Sequence, residues 1–433
     1  MTIAELFQLR KNDPRWNTSY PLHPSDWEDY RVPGSLPFEH DSRLSFYIHI
    51  PFCKQLCSFC EYTRMICPDE SVQREYLFAI AHDIKHFREK YPDITLLGFD
   101  IGGGTPTALS EKNFALLMQI YQTAISGLKM ADNYEPSLEG TFNTLSEQKL
   151  DDMAKMGIHR LSLGVQSSCN AVLSQHQRGN SSEAMMSSWL KKAWDKGVKK
   201  VNLDFMYGLK GQNESTIQQD LELIGRLQPQ QVTLYELRTN MISAEETFTK
   251  EELYAQYVHY FDGLLAMGYK SRFGQNTFSV DAADEGVSSY LRERMLNGAA
   301  YKGFGMAAQS MSSSGIAYNV GKLESVPQKE LRLEGYPELF TYLLPSNELA
   351  SKYMAISAYN GSFSIKRLKD LGVSDNSLNE ILDFCMGEGL LYKGDSDRVF
   401  VSRKGFVHYG ALFSLFYPTQ FGQKASLIAL ERG

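Results

Sequence analysis

Cysteine is scarce in this chain: there are six in 433 residues, and three of them fall between positions 53 and 60. A secreted scaffold held by disulfides spreads many more cysteines along a shorter chain, so that class is excluded. No apolar run approaches the roughly 20 residues needed to cross a bilayer. The opening Met1-Thr-Ile-Ala-Glu-Leu6 lacks the charged-then-apolar form of a secretory signal. Basic excess is missing too. A net charge of -7 gives no electrostatic footprint for nucleic acid. These absences predict a cytoplasmic globular protein with neither membrane nor nucleic acid as partner. Its length calls for two domains plus extensions.

The crowded cysteines are Cys53, Cys57 and Cys60, spaced Cys-x3-Cys-x2-Cys directly after an apolar, strand-like run from Leu44 to Ile50. A structural zinc takes four protein ligands, and no further Cys or His follows at ribbon or finger spacing. Cys67, Cys169 and Cys385 stand apart and read as small buried or partly buried thiols. Three thiolates on one loop can hold three corners of a [4Fe–4S] cluster and leave the fourth iron without a protein ligand. Such an iron can bind a substrate or cofactor directly, which points to chemistry at the metal rather than electron storage.

Residues 1–43 are polar and interrupted by proline between Pro14 and Pro24, which predicts an extended arm. From Leu44 to about residue 320, strand and helix patterns alternate. Strands are expected near 45–50, 95–101, 137–141, 160–165, 201–206 and 231–237, with helices between them, the first over 69–90 with Tyr76, Ile80, Ile84 and Phe87 on one face. Repeated strand–helix units make a parallel sheet with right-handed crossovers, and a partial or full barrel places the site at the C-terminal strand ends. Residues 321–433 change style. Short helices are expected over 337–359, 365–371 and 375–387, then a hairpin around Asp395-Ser-Asp397. That is a winged-helix outline, but Asp383, Glu388, Asp395 and Asp397 suit a lid or docking module better than a DNA reader.

Candidate site residues recur strand after strand. Gly102-Gly103-Gly104 ends the second strand, where adjacent glycines admit close backbone approach, and Thr105 adds a hydroxyl donor. Taken alone this triplet is also what a tight turn needs. Glu139 lies within a small, apolar strand and suits ribose hydroxyls or an ammonium group; a solvent-facing strand residue would look the same. Gln166 ends a strand, Arg178 follows it, and Asp204 sits within another. Buried charges of this kind are costly unless paired with a ligand or an opposite charge.

With Phe59 before its last cysteine, the Cys53–Cys60 loop resembles the signature of radical S-adenosylmethionine (SAM) enzymes. More narrowly, the chain is similar to the oxygen-independent coproporphyrinogen III oxidase family in Tyr47-Ile-His-Ile-Pro-Phe-Cys53, Gly102-Gly-Gly-Thr-Pro-Thr107, Arg160-Leu-Ser-Leu-Gly-Val-Gln166, Asp204-Phe-Met-Tyr-Gly-Leu209 and Gly303-Phe-Gly305. Thr18-Ser-Tyr-Pro21 resembles the family's N-terminal segment. The resemblance implies an α/β fold: a partial (β/α)6 barrel over 44–320, an N-terminal arm over 1–43, and a small winged-helix-like α+β domain over 321–433. It implies a [4Fe–4S] cluster on Cys53, Cys57 and Cys60 and a SAM molecule on the open iron. It further implies reductive cleavage of SAM to a 5′-deoxyadenosyl radical. By similarity Tyr47, Phe59, Gly103, Gly104, Thr105, Glu139, Gln166, Arg178 and Asp204 would surround the cluster and its SAM. Tyr235, Glu236 and the stretch Gly303-Phe304-Gly305-Met306 would wall a second SAM.

Two departures bear on the substrate. The oxidases carry a further cysteine two residues after the third ligand, where this chain has Tyr62. The haem-chaperone branch carries a His-Asn and Tyr-Trp motif that Ser288–Gly298 lacks. A tailoring enzyme that uses a second SAM as one-carbon donor, similar to class C methyltransferases, is therefore the leading expectation. An oxidase that decarboxylates porphyrinogen propionates and a haem chaperone are the alternatives. The expected partners are a small tetrapyrrole or other conjugated-ring substrate and a flavodoxin or ferredoxin as reductant.

Overall fold

A computed structural model describes residues 1–11, 20–21, 24–237, 248–321, 335, 337–394 and 397–417. Six strands run parallel in the order Arg43–Ile50, Thr95–Gly103, Pro136–Gly140, Arg160–Gln166, Lys200–Tyr207 and Gln231–Glu236. A seventh, Ala300–Phe304, lies parallel to Arg43–Ile50 on its other side. Antiparallel strands close the two ends, Thr277–Ser279 at one and Gln309–Ser312, Gly315–Asn319 and Glu338–Leu343 at the other. The two edges do not pair, so the barrel is partial.

Alternation along Arg43–Ile50 explains both faces of this sheet. Leu44, Phe46, Ile48 and Ile50 are fully buried beneath the outer helices, where Phe46 meets Phe87 and Phe99 edge to face. Ser45, Tyr47 and His49 point the other way, into the lumen. The same parity sends Asp100, Ser137, Glu139, Arg160, Ser162, Asn202, Asp204, Gln231, Thr233 and Tyr235 inward. The lumen is therefore polar. The helix Ser289–Asn297 packs across it, made possible by Gly98: a Cβ there would lie 2.3 Å from the backbone nitrogen of Tyr290.

The outer helices follow the expected pattern. In Glu70–Lys90 the residues Tyr76, Ile80, Ile84 and Phe87 are all buried, and Ser110 caps Glu111–Ile125 by accepting from the Asn113 amide. The C-terminal region holds the helices Ser346–Ser357, Ile365–Asp370 and Asp375–Gly387 and a small sheet ordered Ser362–Ser364, Arg398–Val401, Leu391–Lys393. That is the winged-helix outline. The turn at 395–396 and the arm's Thr18 and Ser19 lie outside the described residues.

Three expectations need correction. The arm is not extended throughout: Ile3–Lys11 is an α-helix, started by a reciprocal cap in which Glu5 Oε2 accepts from the Thr2 amide and Thr2 Oγ1 from the Glu5 amide. Its Phe7 packs on Phe384, and Arg10 donates to the Tyr417 carbonyl. Second, the helix expected from 337 begins only after Pro345, because Glu338–Leu343 is instead a strand paired antiparallel with Gly315–Asn319. Third, that pairing carries the large sheet beyond the boundary placed at 320. Arg31–Val32, within the expected arm, adds a further strand on the same edge.

Candidate functional site

Within otherwise buried strands, the C-terminal halves leave few residues accessible. They are Tyr47, Gly103, Glu139, Gly164 and Gln166, Asp204, and Tyr235 with Glu236. Apart from Gly164, these are residues singled out from sequence. The fold thus gathers them around one opening.

The cysteine loop crosses that opening. It leaves the first strand, and Phe52–Cys53 pairs with Met65–Ile66 to fold the loop back on itself. Cys53 and Cys57 are buried and Cys60 is partly so; all three are free thiols. Burial pushes the Cys53 and Cys60 thiols up, and each also feels the neighbouring sulfurs. Thr105 Oγ1 lies 3.6 Å from Cys53 Sγ, and Arg178 Nη1 lies 3.6 Å from Cys57 Sγ. Arg64 Nη2 donates to the Cys57 carbonyl at 2.7 Å. Two side-chain donors and a second arginine are what thiolates on this loop need.

Acceptors face the donors across the lumen. Glu139 Oε2 accepts from the Gly103 amide at 3.0 Å, and burial pushes its carboxyl up to about 7 against that hydrogen bond, with Asp204 and Asp100 adding to the rise. Burial also raises Asp204, which accepts from Ser162 Oγ at 3.1 Å and Asn202 Nδ2 at 2.7 Å. Gln166 adopts a left-handed backbone, φ 73°, and its Oε1 is buried without a hydrogen-bond partner among the described residues. A strained backbone carrying an unmet acceptor at a strand end is the kind of feature that persists at binding sites.

The glycines serve a purpose other than the one expected. The amides of Gly103, Gly104 and Thr105 are all engaged within the protein, by Glu139, Ile50 and Phe52. What the triplet supplies is room. A Cβ on Gly102 would strike the Glu139 carboxylate, one on Gly103 the His49 ring, and one on Gly104 the main chain of Pro51. Gly303 and Gly305 likewise admit close packing, against Gln309 and against Tyr76 and His49, rather than opening a wall. Phe59 packs on the His176 ring and against Val172, Met206, Leu209 and Leu237, on the side where Tyr235 lies.

Sequence reasoning missed His49, Asp100, Arg160, His176 and Tyr290. The parity of Tyr47 and Gly102 would have found the first two. Asp100 is buried and accepts from Ser288 Oγ at 2.6 Å, and its carboxyl is pushed up to about 7 by burial. Arg160 donates to Gln231 and Ser137 among the lumen carboxylates. His176 meets Ser58 through its backbone carbonyl, which accepts from the Ser58 amide, and through Nδ1, 3.2 Å from Ser58 Oγ. Its Nε2 accepts from the Lys210 amide.

Among the described residues no three His, Cys, Asp or Glu side chains converge tightly enough for a single metal ion. A four-iron cube spreads its corner ligands more widely than that. Three thiols on one loop, with Thr105 and Arg178 donating toward Cys53 and Cys57, fit such a cluster, and the Gln166 acceptor at the neighbouring strand end fits a polar ligand.

Residues 47–224 match the Radical SAM superfamily model. The chain is 30% identical over 193 residues to the heme chaperone HemW of Bacillus subtilis, covering 45% of this chain and 50% of that one. It is 28% identical over 236 residues to the oxygen-independent coproporphyrinogen III oxidase of Salmonella typhimurium, covering 54% and 50%. It thus spans about half the length of these curated relatives. In structure it superposes on the coproporphyrinogen III oxidase of Escherichia coli with a TM-score of 0.70 at 20% identity, over 87% of this chain and 90% of the other. At that identity the likeness shows the fold.

Proposed function

Because this chain carries a radical SAM domain across residues 47–224, we propose that it is an enzyme that cleaves S-adenosylmethionine reductively at a [4Fe–4S] cluster held by Cys53, Cys57 and Cys60. We propose further that it removes a hydrogen from a small conjugated-ring substrate of the tetrapyrrole class. The observation that supports this best is the ring of accessible lumen residues under the cysteine loop. When bound, a reduced cluster would supply one electron to the sulfonium of SAM, whose S–C5′ bond would break to leave methionine and a carbon-centred radical able to abstract hydrogen.

The protein's residues bind, aim and shield. Thr105 and Arg178 donate toward two of the three sulfurs and stabilise their thiolate forms. Glu139 and Asp204 face the lumen as acceptors for an ammonium group and ribose hydroxyls. A cationic ligand beside Glu139 favours its ionised form despite burial. Tyr47, stacked on Tyr290 with ring centroids 5.7 Å apart, forms the opposite wall. Phe59 and the small apolar cluster around it exclude water from that side. A flavodoxin or ferredoxin would supply the electron in a cytoplasmic setting.

The curated relatives described above are coproporphyrinogen oxidases and haem chaperones, which supports a ring substrate. The one-carbon-transfer reading draws no support from them and rests on Tyr62 and on the lack of the His-Asn and Tyr-Trp motif in Ser288–Gly298. Products separate the readings: carbon dioxide with 5′-deoxyadenosine marks oxidative decarboxylation, S-adenosylhomocysteine with 5′-deoxyadenosine marks methyl transfer, and haem binding without turnover marks a chaperone. For the cluster itself, Cys57→Ala is expected to lose both the absorbance near ~400 nm and SAM cleavage, since one of three ligands is gone. Full iron content and cleavage in that variant would refute the assignment.

A further inference from the structure

Arg294 is a lumen cation without a counter-ion among the described residues. It lies on the helix Ser289–Asn297, and its guanidinium sits 4.7 Å over the Tyr301 ring and 6.0 Å from that of Tyr290. Among the described residues its hydrogen bonds go to neutral groups: Nη2 to Gln309 Oε1 at 3.2 Å and Nη1 to the Tyr290 hydroxyl at 3.4 Å. Nε is buried and donates to nothing. Gln309 Oε1 is already shared with the Tyr301 hydroxyl at 2.5 Å.

Acids close by on the chain bond elsewhere. Glu293 is taken by Arg292 at 3.3 Å and by Asn297 at 2.7 Å. One oxygen of Asp100 accepts from Ser288, and no ion pair joins Arg294 to any described carboxylate. Holding a guanidinium among tyrosines without an anion is costly, and a carboxylate offered in the two-pronged geometry of arginine would relieve that cost. The position borders the ring of accessible strand-end residues. Tyr290 stacks on Tyr47 of the first strand, and the exposed Tyr62 lies within electrostatic reach of Tyr47, Tyr235 and Arg294. The surrounding tyrosine faces suit a flat ring.

We infer that Arg294 binds a carboxylate side chain of the ring substrate and sets the depth at which that ring enters the lumen. This deepens the proposed function and rests on it for the identity of the ring. A carboxylate could also come from a second SAM, so the experiment must separate the two sources.

Equilibrium dialysis of the reconstituted protein without oxygen provides the test, with coproporphyrin III and its tetramethyl ester as probes and SAM stoichiometry measured in parallel. Wild type should bind the tetra-acid saturably and the ester weakly. Arg294→Gln should weaken the tetra-acid about tenfold to a hundredfold, the worth of charged hydrogen bonds, and leave the ester and the SAM stoichiometry unchanged. Arg294→Lys, which keeps the charge without the fork, should fall between. Equal affinity for acid and ester in wild type, no saturable binding of the acid, or an unaltered R294Q would overturn the inference. So would a loss of one SAM per chain in R294Q with the porphyrin affinity intact. SAM cleavage by wild type is scored separately. Its absence refutes the proposed function while the acid–ester comparison still decides Arg294.

Discussion

Gly102→Ala is the sharpest probe of how the site is built. Gly102 does not occupy the left-handed region, so alanine is acceptable to the backbone there and the effect falls on the space its Cβ would enter. That Cβ would lie 2.5 Å from Glu139 Cδ and 2.6 and 2.7 Å from the two carboxylate oxygens. Ordinary contact begins at 3.4 Å, so the carboxylate must retreat by nearly ~1 Å. Its 3.0 Å bond from the Gly103 amide does not survive such a shift. A hydrogen bond to a charged group is worth about 1.5–3 kcal/mol. SAM affinity should therefore drop about tenfold to a hundredfold, while iron content holds because no cysteine moves. Isothermal titration with SAM on Gly102→Ala, Glu139→Gln and the double variant reads this directly. Both changes act through one carboxylate, so the alanine should cost little further once Glu139 is replaced. Additive losses, or a single-variant Kd within about twofold of wild type, would refute the reasoning.

Two further outcomes follow from buried groups away from the cysteines. Asp100 has its carboxyl raised to about 7, so its contribution to stability is complete below the unfolded-state value and is lost as pH climbs to 7. Asp100→Asn should match wild type near pH 4 and be more stable by about 4 kcal/mol above pH 7 in chemical denaturation; a pH-independent difference would contradict the burial argument. Trp27 is fully buried and donates from Nε1 to Glu348 Oε2 at 2.9 Å, joining residues 24–30 to the helix Ser346–Ser357. Trp27→Ala should cost about 3–5 kcal/mol in urea midpoint at unchanged slope, and an unshifted midpoint would deny that this segment is part of the cooperative unit.

Much of the site was legible because its signals are local. The cysteine spacing, the polar residues inside apolar strands and the glycines after the second strand can each be read within a few positions. The function of those glycines could not. Whether Gly102 presents an amide or makes room for Glu139 depends on a strand whose Glu139 lies 36 residues beyond Gly103 in sequence. The strands Gln309–Ser312 and Glu338–Leu343 were missed for a related reason. They are short and carry polar residues, and their pairing partners, not their composition, make them strands. The helix Ser289–Asn297 marks the limit most clearly. Its sequence shows a capping serine, two arginines and a glycine stop, which describe any surface helix. Gly98, on the strand Thr95–Gly103, leaves room for it at the lumen, since a Cβ there would strike the Tyr290 main chain. That single absence of a Cβ turns Arg294 from a solvated surface charge into a cation facing the substrate space. A bulkier residue at position 98 should therefore displace the helix and abolish discrimination between acid and ester even with Arg294 intact. Gly98→Val with coproporphyrin III and its ester reads this out: retained discrimination would show that the helix holds its place without the glycine.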